Sequence, residues 1–220
     1  MRNLVIGDIH ACFKTFKKLL EKVELSKNDK LYILGDLINR GKRSKDVIDF
    51  IIKKQEEGYK IFPIRGNHEQ MVLNLINESR FLIEKYTLYY KSSDLLNSRG
   101  KFKKKYIDFF NDLPFYIETY NSIFVHAALD LTRDNIFDNK DFMLYSRHQR
   151  GKTKRLNGKK LIHGHVPEPL DEIKNNVNNK SQIIGIDNGC IFGSKRKSYG
   201  KLVCIDADNL DIFTQKNVDE

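Results

Sequence analysis

Five short apolar runs in this chain each end on a residue able to bind a metal ion. Leu4-Val5-Ile6 runs into Gly7-Asp8-Ile9-His10, and Leu31-Tyr32-Ile33-Leu34 into Gly35-Asp36. Ile61-Phe62-Pro63-Ile64-Arg65 leads to Gly66-Asn67-His68-Glu69, Ile123-Phe124-Val125 to His126, and Leu161-Ile162 to His163-Gly164-His165. Runs this short suit buried strands, and amphipathic stretches separate the first three. Phe13, Phe16, Leu20 and Val23 recur at helical spacing, as do Val47, Ile48, Ile51 and Ile52, then Met71, Val72, Leu75 and Ile76. That alternation predicts βαβ units and an α/β fold. Open α/β sheets gather their sites beyond the carboxyl ends of the strands. In four of the five, glycine before the candidate ligand lets the backbone turn sharply and approach an ion closely.

Residues 79–112 break the pattern and read as a helical insertion. Strands are then expected near 115–120, 123–126, 160–163, 182–187, 201–206 and 210–214, with turns at Asn121-Ser122 and Asp208-Asn209. The second part is expected to be mostly β. A length of 220 residues suits one domain carrying that insertion. No apolar run is long enough to span a membrane, and the apolar stretch at Leu4 is too short for a signal peptide. A cytoplasmic protein is therefore expected. Cys12, Cys190 and Cys204 are odd in number and far apart, which suggests three reduced thiols rather than a disulfide framework. A net charge of +10 favours anionic partners without choosing among them.

Asp8, His10, Asp36, Asn67, His126 and His165 make an oxygen and nitrogen ligand set without sulfur. Such a set suits Mn²⁺ first, with Fe or Zn²⁺ as alternatives. Asp36 is the natural bridge, since one carboxylate can bind two ions. Two divalent ions and two carboxylates leave a net +2, and a bound hydroxide leaves +1, which still attracts a phosphate dianion. Paired ions about 3.5–4 Å apart can clamp the attacking and leaving oxygens and acidify a water between them. No protein nucleophile is then needed.

These segments resemble the phosphoprotein phosphatase branch of the calcineurin-like metallophosphoesterases. Gly7-Asp8-Ile9-His10, Gly35-Asp36-Leu37-Ile38-Asn39-Arg40-Gly41, Arg65-Gly66-Asn67-His68-Glu69, Val125-His126-Ala127, Gly164-His165-Val166-Pro167 and Ile186-Asp187-Asn188-Gly189-Cys190 follow the family's order. Small bacterial and bacteriophage-lambda-type protein phosphatases, and symmetrical diadenosine tetraphosphatases, share these motifs. The resemblance implies a four-layer sandwich of two mixed β-sheets flanked by helices. Asp8, His10 and Asp36 would hold the first metal, and Asp36, Asn67, His126 and His165 the second. His68 would be the general acid, and Arg40 and Arg147 would bind phosphate oxygens, the latter within Leu144-Tyr145-Ser146-Arg147. The main reading is removal of phosphate from phosphoserine and phosphothreonine proteins, phosphotyrosine included, by direct attack of metal-bound hydroxide. The alternative is hydrolysis of diadenosine tetraphosphate. A non-catalytic phosphate- or nucleic-acid-binding protein is a remote third.

The chain departs from the family at Asn39, where aspartate usually backs the catalytic histidine. Asn39 is expected to accept from His68 through its carbonyl oxygen, without the negative charge, and so to lower the pKa of His68. Arg65 is expected either to face the site or to pair with a nearby acid. His163 is expected beside the metals rather than on them, and His148 on the surface.

Overall fold

The computed structural model describes residues 1–219. Strands β1 (Asn3–Ile6), β2 (Lys30–Ile33) and β3 (Lys60–Pro63) alternate with helices α1 (Phe13–Lys22), α2 (Ser44–Glu56) and α3 (Asn67–Leu75). The three strands pair in parallel, as βαβ units require. Strands β8 (Lys201–Asp206) and β9 (Ile212–Lys216) extend this sheet antiparallel beyond β1, giving the order β3-β2-β1-β8-β9. The second sheet has the order β4-β5-β6-β7, from β4 (Tyr116–Glu118), β5 (Ser122–Val125), β6 (Lys160–His163) and β7 (Ile183–Gly185). Its first pair is the expected hairpin, and β5, β6 and β7 are parallel.

Alternation along the strands sorts side chains into layers. Leu4, Ile6, Leu31 and Ile33 turn toward Phe16 and Leu19 of α1 and Val47 and Ile51 of α2. Val5, Tyr32, Val203 and Ile205 turn inward to meet Phe124, Ile162 and Ile184 of the second sheet. There the Tyr32 and Phe124 rings lie 4.4 Å apart. On the far face, Ile123, Val125 and Leu161 pack on Met143 of α6 (Lys140–Tyr145). The result is the expected pair of mixed sheets between helical layers.

The second part is less purely β than its sequence suggests. Helix α6 lies in the connection from β5 to β6, and α7 (Leu170–Asn178) in that from β6 to β7. Parallel neighbours cannot be joined by a tight turn, so each connection must cross over and has room for a helix. Between 79 and 112 the chain forms α4 (Arg80–Tyr90) and α5 (Lys104–Asp112), separated by loop and one 3₁₀ turn, rather than continuous helix. No helix among the described residues is long and apolar enough to cross a membrane. All three cysteines are free and buried.

Candidate metal centre

The loops that follow β1, β2, β3, β5 and β6 are stitched to one another. His10 N–H donates to the Asp36 carbonyl at 2.8 Å, and Gly164 N–H to the His126 carbonyl at 2.8 Å. His165 N–H reaches the Asp8 carboxylate at 3.1 Å, linking the two sheets. Two glycines permit this closeness. A Cβ on Gly66 would strike the Asp36 carboxylate, and one on Gly164 would strike Asp8 Oδ1. The backbone is also strained: His10, Ala11, Asp36, Asn39, Arg40 and His165 all have positive φ. Left-handed backbone costs a non-glycine residue about 1–2 kcal/mol, so the surrounding packing must impose it.

Asp36 lies between two groups of donors. Its Oδ2 is 3.5 Å from His10 Nε2 and 3.8 Å from His68 Nε2. Its Oδ1 is 3.5 Å from His126 Nε2. On that side Asn67 Oδ1, His126 Nε2 and His165 Nδ1 converge, with separations of 2.9, 3.1 and 3.1 Å. With His126 giving its ring proton to the Leu34 carbonyl, Asn67 Oδ1 and His126 Nε2 aim lone pairs at one point beside His165 Nδ1. A cation there satisfies all three, so this donor set fits a metal ion. His10 likewise gives Nδ1–H to the Ile38 carbonyl, leaving Nε2 for the other group. Asp8 is buried at the same centre, but the tightest group around His10 consists of Asp36 and His68.

The electrostatics tell the same story. Burial pushes Asp36 up to about 7, and burial with Asp187 and Asp36 pushes Asp8 well above the carboxylate range. Burial brings His126 down to about 4 and, with His126 and Arg147 nearby, His165 to about 3. Groups so disfavoured in their charged forms are what a buried site shows before cations compensate it.

Glu69 organises the centre from behind. Its carboxylate accepts from the backbone N–H groups of Asp36, Leu37 and Gly66, at 3.0, 2.9 and 2.9 Å. One side chain thus holds the loop carrying Asp36 against the start of α3, which carries Asn67. Burial and Asp36 still raise Glu69 to about 8. Glu69 stands at the third helical position of α3, from which its carboxylate reaches back to the N-cap Gly66.

His68 is buried, and its Nδ1 faces Asn39 at 2.8 Å. The atom presented is the amide nitrogen Nδ2, not the carbonyl oxygen expected from sequence. Nδ2 also donates to Tyr86 Oη at 2.7 Å, while Oδ1 is buried without a partner. This orientation satisfies two N–H donors and leaves one acceptor orphaned. The reverse would orphan both donors. His68 is lowered to about 3 by burial first, then by Arg40, His126 and His165. Tyr86 and Tyr90 of α4 close over His68, the latter ring edge-on at 5.2 Å. No local signal marks these tyrosines, since Tyr86 lies 47 residues from Asn39.

Arg40 is exposed, with Asp8, Asp36 and His68 all within its electrostatic reach, and Arg147 influences His165 from the other side. Arg65 neither enters the site nor pairs with an acid. It donates to Gln70 Oε1 at 3.0 Å and the Asn111 carbonyl at 2.9 Å, tying α3 to the end of α5. His163 lies outside both donor groups and His148 is exposed, as expected. Asp187, to which no role was given, is buried beside the centre and raised to about 7 by burial and by Asp36. It too follows a strand, β7, so the strand-end rule would have found it.

The sequence profile of the calcineurin-like phosphoesterases matches residues 1–198. The bis(5'-nucleosyl)-tetraphosphatase PrpE of Oceanobacillus iheyensis, described as asymmetrical, is 25% identical over 90% of this chain and 88% of its own length. A symmetrical bis(5'-nucleosyl)-tetraphosphatase of Wigglesworthia glossinidia brevipalpis is 41% identical, but over only 34% of this chain and 27% of its own. A serine/threonine phosphatase of Saccharomyces cerevisiae superposes with a TM-score of 0.65 at 17% identity, covering 99% of this chain and 80% of that one, a likeness of fold. The profile match spans both donor groups and every strand but β8 and β9: the chain belongs to the calcineurin-like phosphoesterase family.

Proposed function

We propose that this chain hydrolyses phosphoanhydride bonds in dinucleoside tetraphosphates. Asp8, His10 and Asp36 would hold one divalent cation, and Asp36, Asn67, His126 and His165 a second, with Mn²⁺ the first candidate. Bound there, the cations would supply Lewis acidity and acidify a water. Asp36 turns one oxygen to each donor group and so sets their spacing. Arg40 and Arg147 hold non-bridging phosphate oxygens, for which a guanidinium is the matching shape. His68 points Nε2 at the leaving oxygen, its ring oriented by Asn39.

The observation that carries this reading is the amide behind His68. A serine or threonine alkoxide must be protonated as it departs, which calls for an imidazolium backed by an anion. Asn39 offers an N–H and no charge, and an N–H on Nδ1 holds the ring neutral with its proton on Nε2. That tautomer can give a hydrogen bond but is a feeble acid. A nucleotide phosphate leaves as a stable anion, and a hydrogen bond suffices. Similarity along most of the chain to an asymmetrical tetraphosphatase supports the same choice. Phosphoprotein hydrolysis, favoured by the sequence motifs, therefore becomes the second reading. A cytoplasmic setting, where nucleotides are found, suits the first.

The test is reconstitution of metal-free protein with Mn²⁺, then specificity constants for diadenosine tetraphosphate and for phosphoserine, phosphothreonine and phosphotyrosine peptides. The dinucleotide should give the larger value. A larger value for any phosphopeptide overturns the assignment.

A further inference from the structure

A cavity of about 520 Å³ is lined by Arg40, beside the candidate centre, and holds none of the proposed metal ligands in its lining. Arg40, Lys14, Lys42, Arg43, Lys91 and Lys195 are half of its lining, among smaller or apolar neighbours such as Ala11, Cys12 and Ile191. Among the described residues, Lys14, Lys42, Lys91 and Lys195 have no ion-pair partner, whereas Arg43 pairs with Asp46. The acid in the lining is Asp219, whose carboxylate is taken up by Lys14 N–H, Thr15 N–H and the Thr15 hydroxyl at 2.9, 2.8 and 2.7 Å. These cations come from four separate places: the start of α1, the loop after β2, the end of α4 and the turn after Gly189. Four segments of this fold thus turn positive charge into one space. A cleft lined by one sign of charge focuses its field and concentrates the opposite ion.

We infer that this groove binds a linear condensed phosphate chain, seating the phosphates that follow the one held at Arg40. Arg40 belongs to both the metal centre and the groove, so a chain whose reacting phosphate lies on the ions leaves along this row. A phosphorylated side chain carries one phosphate and would leave the row unfilled. The inference rests on the dinucleoside polyphosphate reading for its biological substrate, but a free polyphosphate tests it alone.

The experiment is competitive inhibition of p-nitrophenyl phosphate hydrolysis at fixed free Mn²⁺, using orthophosphate and inorganic tetrapolyphosphate. The wild type should prefer tetrapolyphosphate. Lys14→Glu/Lys42→Glu/Lys195→Glu should cut that preference by about tenfold, since three exposed attractions of modest strength are all reversed. Lys53→Glu/Lys104→Glu/Lys174→Glu changes the net charge equally at exposed positions outside the groove and should retain it. An equal loss in both triples overturns the inference, as does an unchanged preference in the first. So does a groove variant that loses affinity for an acidic phosphopeptide but not for tetrapolyphosphate. A wild type that fails on diadenosine tetraphosphate yet prefers tetrapolyphosphate sinks the functional reading and leaves the groove standing.

Discussion

Asn39→Asp is the change that most directly tests the chemistry assigned to His68. Asn39 is fully buried, with its amide 2.8 Å from His68 Nδ1. At roughly 4 Å between charge centres and an effective dielectric near 20, a carboxylate there attracts an imidazolium by about 4 kcal/mol. One pK unit is about 1.4 kcal/mol, so the bare attraction is worth nearly three units. Burying the new carboxylate takes part of this back, leaving a rise of about 1–3 units. Starting from about 3, His68 stays below neutrality, yet its acid fraction at pH 7 rises roughly 10- to 1,000-fold. Tyr86 Oη, 2.7 Å from the amide nitrogen, can donate to the carboxylate, and aspartate tolerates the left-handed backbone found at this position. The assay is the pH dependence of kcat/KM on an alkyl phosphate, a phosphoserine peptide and p-nitrophenyl phosphate. The first two should gain, with the descending alkaline limb moving to higher pH, while the activated ester changes little. A profile identical to the wild type on all three would show that the charge behind His68 does not govern proton delivery.

Three further outcomes are expected. His126→Ala should lower bound Mn²⁺ from two ions to about one, and Asp36→Ala should release both, as measured by elemental analysis after gel filtration, because only Asp36 faces both donor groups. Metal-free protein should lose thermal stability between about pH 6.5 and 8. The histidines, lowered in the fold, add their last increment of stability as pH reaches their unfolded pKa of about 6.5. Asp36 and Asp187, raised to about 7, and Glu69, raised to about 8, bind protons in the fold that are lost across this window, so stability falls as pH rises through it. Mn²⁺ should flatten that decline; a metal-free melting temperature constant or rising over the window contradicts the electrostatics. Phe124→Ala should cost about 3–5 kcal/mol in urea unfolding, because the ring is fully buried against Tyr32 between the sheets. A loss under about 1 kcal/mol would mean the sheets do not depend on that contact.

The site was legible where chemistry repeats locally. Glycine followed by Asp, Asn or His at the end of an apolar run is a pattern of neighbouring residues, so Asp8, Asp36, Asn67 and His165 could be found by reading along the chain, and His126 by its place directly after such a run. The strands were legible for the same reason, since a short apolar run is a property of adjacent positions. Helices α6 and α7 were not, because they are short and exist to carry the chain between parallel strands. The need for such a crossover appears only once the pairing of β5, β6 and β7 is known.

What the sequence alone determined, then, is which side chains gather at the candidate centre and that strand ends deliver them. Tertiary structure decided their relations: that Glu69 locks two loops together, that Tyr86 turns the Asn39 amide nitrogen toward His68, and that lysines from four segments share a groove with Arg40. Each is a contact between residues distant in the chain, whose partner and orientation follow from packing around them rather than from their own identities. Arg65 makes the point in reverse. It stands beside the metal-binding motif in sequence, yet packing directs its guanidinium away from the metals, onto Gln70 and Asn111.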